Sequence, residues 1–145
     1  MTPRTRKFQF SNFQPFNITY KEVVYKSVEH LYQAMKFRDE EHQQMVAGCN
    51  TAAAAKKTAR TLSEFVREDW DQLKLDLMRI ALSYKFAPGT PYHDQLMATE
   101  GEIIEDNSWD DNFWGNCFCE KCRNIEGLNH LGKMLMEIRE NYRDG

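Results

Sequence analysis

The sequence predicts a mainly α single domain over residues 1–145, with a small β-hairpin element near the N-terminus. Two patterns and one absence carry that prediction. Apolar residues recur at helical spacing in three stretches, and a short β-branched and aromatic run near the start surrounds a polar pair. The glycine signatures of dinucleotide-binding and P-loop folds are missing.

Phe8, Phe10, Phe13 and Phe16 lead into NITYKEVVYKS, where Ile18, Tyr20, Val23, Val24 and Tyr25 flank Lys21 and Glu22 as in a short hairpin. Ser27 suits a helix N-cap, and Val28, Leu31, Tyr32 and Met35 follow on one face, with Glu29, Gln33 and Lys36 on the other. An alanine-rich helix is expected from Ala52 to Arg60. After TLSE a longer one is expected, its stripe formed by Val66, Trp70, Leu73, Leu77, Ala81 and Tyr84 and its end marked by Pro88, Gly89 and Pro91. A short helix over Tyr92 to Met97 leads to EGEIIED, which fits an edge strand, and then to a cysteine-bearing loop. Leu128, Leu131, Leu135, Ile138 and Tyr142 give the last helix a buried seam, from about residue 128 to the end.

A chain of 145 residues, 41% hydrophobic, builds one core more readily than two. Its net charge of −3 with interspersed signs gives no whole-chain preference for nucleic acid or membrane, so a polyanion site has to be a local patch. The basic start, MTPRTRKFQF, is not followed by a continuous apolar stretch, so neither a signal peptide nor a transmembrane helix is expected and the cytoplasm is the expected location. Cys49 stands alone, and Cys117, Cys119 and Cys122 lie too close together to staple a fold. Cys119-x-x-Cys122 has the spacing of half a zinc site, with Cys117, His130 or Cys49 as further candidates, but the second pair is missing. Reduced thiols in an elaborated loop are therefore preferred, and no metal or cofactor is expected.

Glu29, Gln33 and Lys36 stack an acid, an amide and an amine on one helix face, a spacing most often found on solvated surfaces. Glu29 and His30 also fall in the first turn, where the helix dipole favours an anion. Trp70 and Lys74 are one turn apart on an apolar face; desolvation there makes an amine a better nucleophile, whereas snorkelling keeps it wet. Lys56, Lys57 and Arg60 form a short basic run suited to phosphate. In WDDNFWG an aspartate can serve as acid or base, and Trp109 or Trp114 can stack on a flat ring. Gly132 inside the last helix points to a close backbone or ligand approach.

Taken in order, FSNFQPF, SVEHLYQAMKF, AAAAKKTAR, the Trp, Lys and Met of WDQLKLDLM, DNFWG and GLNHLGKMLMEIR resemble the NADAR family, named for NAD and ADP-ribose association. The resemblance runs from Phe10 to about Tyr142 and rests on the combination of motifs. It implies a mostly helical domain that hydrolyses N-glycosidic bonds. Some members act on ADP-ribose attached to guanine in nucleic acid, others on ribosylamino-pyrimidine phosphates early in the riboflavin pathway. Position by position it implies catalytic roles for Glu29, Lys36, Lys74 and Asp111, and substrate contacts for Asn12, Phe13, Arg60, Trp70, Trp114, Gly115 and Asn129.

A carboxyl group, Glu29 or Asp111, would protonate the leaving nitrogen or assist ribose opening while the other steadies charge or activates water. A neutral amine at Lys36 or Lys74 would offer a Schiff-base route. The chain departs from the family at Ala59, where a glycine can precede the arginine, and in the cysteine loop, which replaces a shorter glycine-rich run. ADP-ribosylated guanine in DNA or a nucleotide is the favoured substrate, with a DNA ADP-ribosyltransferase toxin as the partner whose product is removed. The alternatives are the riboflavin intermediate, a non-catalytic ADP-ribose reader, and a zinc-stabilised interaction module.

Overall fold

The computed structural model describes residues 4–5, 10–107, 111–117, 119–122 and 126–144. Phe8 and Trp109 lie outside them. The chain is mainly α with a small antiparallel hairpin, as its sequence predicts. Its contacts divide it into two compact units, Phe10–Ala87 and, taken together, Met1–Gln9 with Pro88–Gly145.

In the unit Phe10–Ala87, β2 (Ile18–Tyr20) pairs antiparallel with β3 (Val23–Tyr25). Lys21 and Glu22 both take positive φ, 49° and 70°, the conformation that lets a two-residue turn follow the strand twist. Ser27 then caps α1 (Val28–Ala34) by accepting from the His30 amide. Next come α2 (Glu40–Ala47), capped by Asp39, and α3 (Ala52–Thr61), capped by Thr51. A single 3-10 turn at Ser63–Phe65 leads to α4 (Trp70–Lys85). Helix α1 packs against α2, α3 and α4, and is buried along its whole length. Ala52, Ala55 and Ala59 form the buried face of α3, where small side chains admit a close neighbour.

Two sequence expectations change here. Helix α2 falls in a stretch that apolar periodicity passes over, because only Val46 and Ala47 are buried and its signal is the Asp39 cap followed by two acidic residues. On α4 the buried stripe is Trp70, Met78, Ala81, Leu82 and Lys85, while Tyr84 is exposed and sets its ring edge-on to Tyr20. Lys85 is fully buried because its Nζ donates to Ser11 O at 2.9 Å and Gln14 Oε1 at 2.7 Å. Burial pushes its ammonium down to about 7.

In the second unit, β1 (Arg4–Thr5) runs parallel to β4 (Glu102–Ile103), and β5 (Asp106–Asn107) parallel to β6 (Asn116–Cys117). Both β4 and β5 lie in or beside the EGEIIED segment expected to form a strand. The helices are α5 (Pro91–Met97), capped by Thr90, and α6 (His130–Asp144). Gly132 explains how α6 reaches β4: a Cβ there would collide with Ile103 O and lie 2.5 Å from Asn129 Nδ2. The approach is by backbone. The seam of α6 is Leu131, Met134, Leu135 and the buried Arg139, whose guanidinium donates to Thr99 Oγ1 and Gly101 O. Leu128 and Tyr142, expected in that seam, are exposed: Leu128 precedes the first helical turn, and Tyr142 packs edge-on to His93 near the helix end. Among the described residues no helix is long and apolar enough to cross a membrane.

Candidate active site

The polar stripe of α1 is not solvated. Glu29 is 7% exposed and Gln33 4%, so an acid and an amide are carried into the interior on the face opposite Leu31. Burial of a carboxyl group calls for partners. Gln33 Nε2 donates to Glu29 Oε2 at 3.2 Å, and the Glu29 amide donates to Asn12 O at 3.0 Å. Among the described residues, two buried amide oxygens beside these bonds, Gln33 Oε1 and Asn12 Oδ1, have no hydrogen-bond partner. A buried acceptor left unmatched costs about 1–3 kcal/mol, a cost that a ligand's donor would remove.

Lys36 follows the helix and is half-buried. Its Nζ lies 5.8 Å from the centre of the Tyr32 ring and makes no hydrogen bond among the described residues. Burial is the main cause that holds its ammonium below the usual lysine range. Glu29 works against that shift, and the positive charges of Lys56, Arg60 and Lys74 add to it. The result is an amine with more of its neutral form, beside a carboxyl group.

The other predicted residues of this unit surround that pair in different ways. Lys74 donates to Asp71 Oδ1 at 3.3 Å, so its charge is partly answered on its own helix. Trp70 is 8% exposed and meets Tyr32 edge-to-face at 5.1 Å, so the indole walls the Tyr32 ring that carries Lys36. Phe13 is 42% exposed with Lys56 Nζ 5.9 Å from its ring centre, an open flat face next to a cation. Arg60 is exposed at the end of α3. His30 serves structure: Nδ1 meets Ser27 Oγ at 2.7 Å and Nε2 meets Cys49 O at 2.9 Å, and burial lowers its pKa. Sequence reasoning left Gln33 and Tyr32 out of the site. The signal for Gln33 was its place four residues after Glu29; Tyr32 read only as core.

A cleft of about 320 Å³ elsewhere on this unit is lined by residues that include Tyr20, Tyr25, Arg38, Gln43, Gln44 and Arg67. None of the predicted site residues lines it.

In the second unit Asp111, Trp114, Gly115 and Asn129 come together in one loop system. Asp111 Oδ1 accepts from the amides of Phe113 at 3.1 Å and Trp114 at 3.0 Å, which folds DNFWG into a tight turn. Trp114 is half-buried, edge-on to Phe113 and His130. Gly115 O accepts from the Asn129 amide. Asn129 has φ 52°, and its side chain is committed to β4 and the segment just after it: Nδ2 donates to Ile103 O at 2.8 Å and Oδ1 accepts from Glu105 N at 3.0 Å. The three thiols of the intervening loop, for which spacing alone favours reduced thiols over a zinc site, are gathered with their Sγ atoms within 4.8 Å of one another.

Comparison with known proteins gives a consistent picture. The NADAR domain family model matches residues 2–143. An N-glycosidase of Nostoc punctiforme is 37% identical over 138 residues, covering 93% of this chain and 85% of that protein. A riboflavin biosynthesis protein of Vibrio vulnificus is 34% identical and matches 92% of this chain but 35% of its own length. The NMR structure of the Escherichia coli protein YbiA superimposes with a TM-score of 0.79 at 27% identity, covering 97% of this chain and 84% of that one.

Proposed function

The chain belongs to the NADAR domain family, and we propose that it is an N-glycosidase that frees ADP-ribose from the amino nitrogen of guanine in nucleic acid. The single observation that carries this reading is the pairing of a buried carboxyl group, Glu29, with the depressed amine of Lys36 on one helix and its extension. Hydrolysis of an N-glycosidic bond needs an acid near the ribose and a nucleophile at C1, and this pair supplies both.

In the proposed path Glu29 gives a proton to the ribose ring oxygen. The C1–O bond breaks, leaving a protonated imine between C1 and the guanine nitrogen. The neutral Lys36 amine adds to C1, and guanine departs as its free amine with the proton lost by the lysine. Water then hydrolyses the protonated lysine imine to an aldehyde that closes to ADP-ribose, and the lysine returns its extra proton to the Glu29 carboxylate, which restores both groups. Lys36 is preferred over Lys74 for this step because Lys74 is held by Asp71. Lys56 and Arg60 supply positive charge for the diphosphate, and the open face of Phe13 offers a stacking surface for a base. The resemblance gives Asp111 the second acid's role, and the reaction calls for no cofactor.

Borohydride added during turnover of ADP-ribosylated DNA should leave a mass adduct on Lys36. Full activity with no adduct overturns the covalent path and leaves direct attack by water. The favoured biological setting is removal of the mark left by a DNA ADP-ribosyltransferase toxin. A second reading, hydrolysis of a ribosylamino-pyrimidine phosphate, is favoured by the name of the Vibrio vulnificus relative. Side-by-side turnover of the two substrates decides between them, with the guanine adduct expected to be hydrolysed faster.

A further inference from the structure

We propose that Cys117, Cys119 and Cys122 bind a single zinc ion that organises the loop between DNFWG and α6. The neck of that loop is closed by backbone and amide contacts. Gly127 N donates to Asn116 Oδ1 at 2.8 Å, Leu128 N to Asn112 O at 2.7 Å and Asn129 N to Gly115 O at 3.2 Å. Gly127 passes so close to Gly115 O that no side chain fits there. All three cysteines stand between these pinned ends in the chain.

The thiols converge for specific reasons. Cys117 lies on β6, its amide donating to Asn112 Oδ1 at 2.8 Å. Cys122 N donates to Cys119 O at 3.0 Å, the turn that puts two cysteines three residues apart on the same side. Cys119 N points at Cys117 Sγ at 3.5 Å, the amide-to-sulfur contact that supports a thiolate ligand. The three Sγ atoms lie within 4.8 Å of one another, and no disulfide joins them. A tetrahedral zinc ion with bonds of about 2.3 Å needs sulfurs roughly 3.8 Å apart, so closure on the ion takes movements of about an ångström or less.

Two of the three thiols, Cys117 and Cys122, are buried. Buried sulfur is inert packing unless a cation makes the thiolate favourable. Binding replaces three S–H protons by three Zn–S bonds with no change of oxidation state. The released protons pass to solvent, and the site carries one net negative charge. The fourth position belongs to water or an added thiol, reached from the side of the half-exposed Cys119.

The inference is independent of the proposed glycosidase chemistry, and its test does not read activity. Chain purified under reductant should contain about one zinc per molecule by elemental analysis. After chelation, cobalt(II) added to the folded protein should give the near-ultraviolet thiolate-to-metal band and the intense visible bands of a tetrahedral site, and zinc should bleach both. Cys119→Ser, at the least buried position, should fold and lose both the zinc and the bands. Reaction of the native thiols with a disulfide reagent should slow when zinc is bound to wild type. Zinc content that survives in Cys119→Ser, or cobalt that gives no thiolate band with well-folded wild type, overturns the proposal.

Discussion

The stripe on α1 and the loop system around Asp111 both place polar residues in partly buried surroundings, yet they use them in opposite ways. On α1 the helix satisfies its own backbone, so its side chains need not do so; among the described residues Gln33 Oε1 and the nearby Asn12 Oδ1 lack hydrogen-bond partners. In the loop there is no repeating ladder, and the side chains take over that work. Asp111 Oδ1, Asn112 Oδ1, Asn116 Oδ1 and both amide atoms of Asn129 bind main-chain groups. A rigid element frees polar atoms for chemistry, while an irregular one spends them on its own shape.

That contrast predicts different failures in the two regions. The largest effect is expected for Glu29→Gln, which keeps the size of the side chain and removes the acid. Hydrolysis of guanine-ADP-ribosyl DNA should fall by roughly 10²–10⁴-fold with little change in the melting curve. A comparable loss of melting temperature would mean that Glu29 is architectural, and the contrast would break.

Asn129→Ala should do the reverse. It strands Ile103 O and Glu105 N at a position with φ 52°, and should cost about 2–4 kcal/mol in urea unfolding. If stability holds while activity is lost, Asn129 belongs with the ligand groups instead. Asp111→Asn tests the same boundary, since it retains an oxygen for the Phe113 and Trp114 amides; the family role predicts lost turnover with the turn intact. The cysteine variants should spare turnover better than this one does.

A shift in pH dependence sharpens the role of Lys36. Its depressed pKa means that the neutral amine appears as pH rises through a value below 10.5, so kcat should climb with pH and level off before a free lysine would titrate. Lys56→Ala removes one of the charges that depress it, and should move the rising limb to higher pH while the plateau changes little. An unshifted limb removes Lys36 from the rate-determining step. The smallest effect is expected for Arg60→Ala on the exposed end of α3: a rise in KM of about tenfold with kcat unchanged, the pattern of a phosphate contact made equally in ground and transition states.

Much of the fold was legible from side-chain order alone. The hairpin, the Ser27 cap and the helices α1, α3, α5 and α6 follow from local periodicity and capping, which act within a few residues of chain. The misplacement of Tyr84 on α4 and of Tyr142 on α6 has one cause. Periodicity sees which residues are apolar, and cannot see that Lys85 and Arg139 find acceptors on distant segments and so enter the core in place of Tyr84 and Tyr142.

The site divides along the same line. Sequence by itself determined which residue types stand on each helix face and at each motif, and through them the family. Only the tertiary structure decided that the α1 stripe is buried, that Lys36 is depressed by that burial and its basic neighbours, that Trp70 braces Tyr32, and that three cysteines converge. Burial and charge coupling depend on what packs against a face, and that is set by segments far away in the chain.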